Sequence, residues 1–102
     1  MPPPGWTNPI TVPAGRVQTG VDPRQLLPSR SDLIRTRLDR QRQLRASGTP
    51  RHTPIQVTTD GVIVDGHHAV RAAAEMGRLI DVKVIAFPQP PTADSILDLP
   101  VV

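Results

Sequence analysis

Hydrophobic and polar positions along the chain follow two different periods, separated by turn residues. Leu33, Ile34, Leu38 and Leu44 share one arc of the helical period, and arginines fill most of the remaining surface. The spacing predicts a helix over 31–46. Ser29 with Asp32 approximates a capping box at its start, Ser31 is the alternative cap, and Gly48 followed by Pro50 ends it. Residues 55–64, IQVTTDGVIV, place two β-branched runs on either side of Asp60-Gly61, a pair that favours a type I′ hairpin turn. An Ala-rich run predicts a second helix over 67–77, capped by Asp65 and stopped at Gly77, with a thin face that can lie close to a sheet. Residues 81–87 read as a strand with Val82, Val84 and Ala86 on one face, and 16–19 as a short strand.

Together these elements predict the α+β class: a small mixed sheet with both helices packed against it. The expected core is Leu33, Ile34, Leu38, Ile55, Val57, Val62, Val64, Val70, Ala73, Val82 and Val84. Thirteen prolines crowd toward the two ends of the 102-residue chain. The predicted organisation is therefore a Pro-rich arm over 1–15, one domain over 16–87, and a Pro-rich linker and tail over 88–102, in which 93–99 has the pattern of one docking helical turn.

Composition narrows the function. Without cysteine there is no thiol nucleophile, disulfide or Cys-held zinc. Two aromatic residues, Trp6 and Phe87, are too few for a base-stacking platform. No apolar run is long enough for a membrane span, and MPPPGWTNPI lacks the regions of a Sec signal. Charge is uneven: residues 16–51 carry nine arginines against three aspartates, whereas 52–102 carry three basic against six acidic residues. Such a basic block is either a solvated helix face or the footprint of a phosphate-bearing partner, nucleic acid or nucleotide. Arg35 and Arg42, seven apart on one helix face, and Arg45 are the candidate nucleic-acid contacts.

The candidate chemistry lies in VDGHHAVRAA, residues 64–73. A strand ends, Gly66 permits a sharp turn, and a helix opens at His67 and His68. The first-turn N–H groups and helix dipole favour an anion, and Gly66 would let a phosphate touch bare backbone. Arg71 shares a face with His68 and can reach back to the same anion or across to a second one. Being about 100° apart, the two histidines cannot both face one small ligand; one is expected at the ligand and one on backbone or packing. The plain alternative is a corner with solvated histidines. His52, Asp65, His67 and His68 hold ligand atoms for a metal, but no histidine pair has the i, i+4 spacing of a helical site.

From Arg16 to Phe87 the order of segments resembles the ParB N-terminal/sulfiredoxin-like fold: Asp22-Pro23, a helix, Pro54-Ile55-Gln56-Val57, a hairpin, VDGHHAVRAAAEMG and DVKVI. Gly66, Arg71 and Ala72 match the nucleotide-triphosphate segment of ParB proteins, while His67, His68 and Ala69 depart from it. His68 matches the sulfiredoxin histidine, and His67 stands where those enzymes have their catalytic cysteine, which excludes their chemistry. The Asp-Gly-His-His variant looks most like ParB-like nuclease domains of bacterial polymorphic toxins. That resemblance implies a hydrolase cleaving phosphodiester bonds, DNA favoured. His68 would act as acid or base, with His67 and Asp65 assisting, and Gly66, His67, His68 and Arg71 would hold phosphate. It also implies action in a cytoplasm reached without a Sec signal, and an immunity protein as partner. An ATP- or CTP-binding regulatory or kinase-like module, with Mg²⁺ carried on the phosphates, and a non-catalytic interaction domain are the alternatives.

Overall fold

A computed structural model describes residues 4–51 and 53–102. Strand β1 (Val17–Val21) leads through a 3-10 turn (Pro23–Gln25) to helix α1 (Arg35–Ala46). The hairpin β2 (Ile55–Thr58) and β3 (Ile63–Asp65), helix α2 (His67–Met76), strand β4 (Ile80–Ile85) and a 3-10 turn (Ile96–Asp98) follow. The sheet order is β1-β4-β2-β3, with β2 parallel to β4 and the other pairs antiparallel. Helix α2 is the crossover between the two parallel strands, packing on β2 and on α1. The α+β class with a mixed sheet is therefore present. No helix among the described residues is long and apolar enough to cross a membrane.

The hairpin departs from the predicted turn. Gly61 alone takes positive φ, at 81°, and Asp60 does not, so the turn is not type I′. Gly61 N–H donates to Thr58 O at 3.0 Å and Thr58 N–H to Val62 O at 2.8 Å, the pattern of a turn closed by a left-handed glycine. The Thr58 hydroxyl adds acceptance from the Asp60 and Val62 N–H groups. The extra residue shifts the register between Gln56↔Asp65 and Val57↔Ile63. As a result Ile63 enters the core and Val64, expected there, is half-buried. Val62 stays buried through a bridge to Leu27.

Helix α1 starts at Arg35, four residues later than predicted, and neither Ser29 nor Ser31 caps it. Residues 31–34 are drawn out of the helix by the chain's end. Leu33 N–H donates to Pro100 O (2.9 Å), Val102 N–H to Leu33 O (2.8 Å) and Arg35 N–H to Val102 O (2.7 Å). Ile34 is consequently only half-buried, while Leu33 is fully buried.

Both Pro-rich flanks pack on the central unit. Ile96 and Leu99 enter the core beside Leu33, Leu38 and Val70. From the arm, Ile10 joins the core, the Trp6 indole donates to Gln25 O (2.8 Å) and Asn8 Nδ2 to Thr59 O (2.8 Å). Proline prevents these segments from forming helix or central strand, but leaves their apolar side chains free to pack.

Candidate functional site

The β3–α2 corner is set by backbone sterics. Gly66 is the N-cap residue of α2, at φ 98° and ψ 23°, and no side chain caps the helix. Asp65 is therefore not the cap. A Cβ on Gly66 would lie 3.1 Å from Ile55 Cγ1. Of the two expected reasons for glycine here, the sharp turn and a phosphate's approach to bare backbone, the left-handed conformation meets the first, and the close pass of β2 adds a steric one.

Both histidines turn toward the segment preceding α1. His67 is buried, and its Nε2 accepts the Ser29 N–H at 2.9 Å. The Ser29 hydroxyl, 3.2 Å from the same nitrogen, donates to Ile63 O. His68 Nε2 accepts the Ile34 N–H at 3.0 Å. The expected division, one histidine to ligand and one to backbone, is thus replaced by two backbone acceptors. Each ring must be neutral with its proton on Nδ1. Burial, followed by the charges of Arg30 and His68, lowers the His67 pKa to about 4. Burial, then Arg30 and Arg37, lowers that of His68.

The arginines divide into two groups. Arg42 grips Glu75 with Nε and Nη2, both at 2.8 Å, and Asp39 with Nη1 at 2.9 Å. Arg71 donates to Glu75 from Nε (2.9 Å) and to Ile96 O and Leu99 O from Nη1 (3.2 and 3.1 Å). These two residues, expected to contact nucleic acid and phosphate respectively, instead tie α1, α2 and the tail together; Glu75 is held below its ordinary pKa chiefly by Arg42. The second group surrounds a cavity of about 700 Å³. Arg37, Arg40 and Arg45 reach it from one stripe of α1, with Arg30 and Arg51 from the flanking loops. Gly66, His67 and His68 form its other wall, and Asp65 is the one carboxylate among the described lining residues. Arg35 is exposed at the start of α1 and lies outside the cavity.

Among the described residues no carboxylate pairs with Arg37, Arg40, Arg45 or Arg51, and Arg30 reaches Asp32 only at 3.9 Å. Burial and then the charges of Arg51 and Arg78 lower the Arg45 pKa. The cavity is therefore a place of concentrated, unneutralised positive charge, facing the positive end of α2. Sequence reading passed over Arg30, Arg37, Arg40 and Arg51. The available signal was the 3- and 4-residue spacing of Arg37, Arg40, Gln41, Leu44 and Arg45, which places them on one helix face. No group of three His, Cys, Asp or Glu among the described residues is arranged to hold a metal, and His52 lies outside them.

Two outcomes follow from the corner. Gly66→Ala should cost at least about 1–2 kcal/mol of stability from the left-handed backbone, and more through Ile55; an unchanged melting temperature would contradict this account. For His67, the unfolded chain takes up a proton near the ordinary 6.5, well before the folded chain does near 4. Its contribution is thus complete above about pH 6.5 and falls as the pH drops toward 4, by roughly 3 kcal/mol in all. Urea titrations at pH 7 and pH 5 should show the loss, and His67→Gln, whose amide oxygen can still accept the Ser29 N–H, should lack that component. No family model, curated protein or solved structure matches this chain, so its functional reading rests on this geometry.

Proposed function

We propose that the chain binds a nucleoside polyphosphate, with the phosphates held between the α1 arginines and the first turn of α2. The observation that carries this reading is the convergence of Arg30, Arg37, Arg40, Arg45 and Arg51 on one cavity with a single carboxylate in its described wall. An anion there relieves repulsion among the guanidinium groups and gains charge-assisted hydrogen bonds. The volume lies within the usual range for small-ligand sites, about 300–1,000 Å³. Both histidines are neutral Nδ1–H species at pH 7, suited to donating rather than to carrying charge. Mg²⁺, where it takes part, travels on the phosphates. This is the nucleotide-binding branch of the ParB/sulfiredoxin-like resemblance.

Phosphodiester cleavage in the same cavity is the second reading. It is favoured by half-buried His68 and exposed Asp65 at the wall. With Nε2 accepting from Ile34, Nδ1 is the atom through which His68 would exchange a proton.

Isothermal titration with ATP, CTP and inorganic tripolyphosphate tests the proposal, with plasmid and RNA incubations alongside. At least one triphosphate should bind, more weakly as salt rises. Arg37→Glu and Arg40→Glu should each weaken binding by about ten- to a hundred-fold, the loss of a charge-assisted bond. Arg35→Ala, at an exposed position outside the cavity, should leave binding unchanged. Strand scission abolished in His68→Ala would favour the second reading. No binding and no scission would leave a non-catalytic interaction domain.

A further inference from the structure

A second hollow, of about 440 Å³, adjoins the arginine cavity. Arg45, Thr49, Pro50, Arg51 and Thr53 line both, so the two meet at the loop that follows α1. Gly66 and His67 place the first at the start of α2, whereas Ala73, Arg78 and Leu79 place the second toward its close. A ligand reaching both hollows therefore runs the length of α2, about 15 Å for its ten residues.

Charge is segregated onto this double hollow. Arg30, Arg37 and Arg40 line the first part, Arg78 and Lys83 the second, and Arg45 and Arg51 both, which is seven of the twelve basic side chains. Of the nine acidic side chains, Asp65 and Asp81 are the two in the described walls, one in each. In the second hollow the cations bond to carbonyls: Arg78 Nη1 donates to Arg45 O (2.6 Å), Lys83 Nζ to Gly15 O (2.9 Å) and Arg51 Nε to Thr53 O (2.9 Å). A carbonyl accepts a hydrogen bond without cancelling the charge. Among the described residues neither Arg78 nor Lys83 has a carboxylate at ion-pair distance. After burial, the charges of Arg51 and Arg78 are what lower the Arg45 pKa, so cations of the two hollows already repel one another.

The shape suits a linear polyanion and the charge a dense one. A phosphoanhydride chain carries charge on every phosphorus with a single oxygen between neighbours, whereas a whole sugar separates the phosphates of a nucleic-acid strand. Among the described residues no aromatic side chain lines either hollow, so bases would find no stacking partner there. Resting on the phosphate reading of the first cavity, we propose that the second hollow continues it, and that the two together bind a linear phosphoanhydride chain longer than a triphosphate. Arg37 and Arg40 hold one end of the chain, Arg45 and Arg51 the middle, and Arg78 and Lys83 the other end.

The test compares tripolyphosphate with inorganic polyphosphate sized to the roughly 15 Å of α2, by titration calorimetry on the full chain. The longer chain should bind at least about tenfold tighter, the gain from tethering a second set of contacts to the first. Arg78→Gln combined with Lys83→Gln should remove that advantage and leave tripolyphosphate affinity unchanged, which also reports that the variant is folded. Arg37→Gln should weaken both ligands. Adenosine tetraphosphate measured against inorganic tetraphosphate identifies the source of the chain: tighter nucleoside binding assigns it to a nucleotide, equal or weaker binding to inorganic polyphosphate, and the length advantage supports the proposal in either case. A longer chain that binds no tighter than tripolyphosphate overturns the proposal while the phosphate site of the first cavity stands. The same conclusion follows if the double variant keeps the advantage. An oligothymidylate of matched length that binds tighter than polyphosphate overturns it in favour of a nucleic-acid strand. If neither tripolyphosphate nor the longer chain binds, the phosphate reading falls and this assignment falls with it.

Discussion

Two backbone N–H groups, those of Ser29 and Ile34, are held by two adjacent imidazole rings, and the rest of the site depends on that clamp. Consecutive residues on a helix diverge by about 100°, so His67 and His68 take hold of the connecting segment at two points five residues apart. The chain's end pairs with the same segment at Leu33 and Arg35, and α1 begins only after the second point. Its arginine stripe is thereby aimed across a gap at the opening turn of α2. The clamp works only while both rings are neutral, because a protonated Nε2 has no lone pair for a backbone N–H. Burial, and then nearby arginines, favour that state.

Carboxylate supply decides what each arginine does. Glu75 is shared by Arg42 and Arg71, and that cluster joins α1 to α2 and, through two carbonyl bonds, to the tail. With Asp39 also directed at Arg42, little negative charge remains for the cavity side of α1. Like charges gathered around a cavity repel one another, and the polyanion proposed above would relieve that repulsion. The same helix thus presents one face neutralised from within and a second whose arginines lack carboxylate partners among the described residues, the face proposed above to bind an outside anion.

The strands and helices were legible because their periods are clean. Val57, Val82 and Val84 alternate as a strand requires, and the alanines of α2 leave little doubt about its extent. Three features were hidden. The start of α1 is decided by Pro100 and Val102, more than sixty residues away, which local capping signals cannot foresee. The hairpin register turns on whether Asp60 adopts positive φ, and an Asp-Gly pair serves either kind of turn. Arg71 and Arg42 looked like phosphate ligands because their distant partners, Glu75 and the carbonyls of Ile96 and Leu99, become neighbours only in the fold. Gly66, His67 and His68 were recognised as the critical corner, but their local roles are those of a backbone hinge and a pair of hydrogen-bond acceptors.

The central claim is that neutral histidines clamp the approach to α1 and so create the arginine cavity. Long-range ¹H–¹⁵N NMR of the imidazole rings at pH 7 tests it most directly. The account predicts that both His67 and His68 carry their proton on Nδ1, with the Ser29 and Ile34 amides protected from exchange. An imidazolium or an Nε2–H ring at either position, with the facing amide exchanging freely, would contradict it.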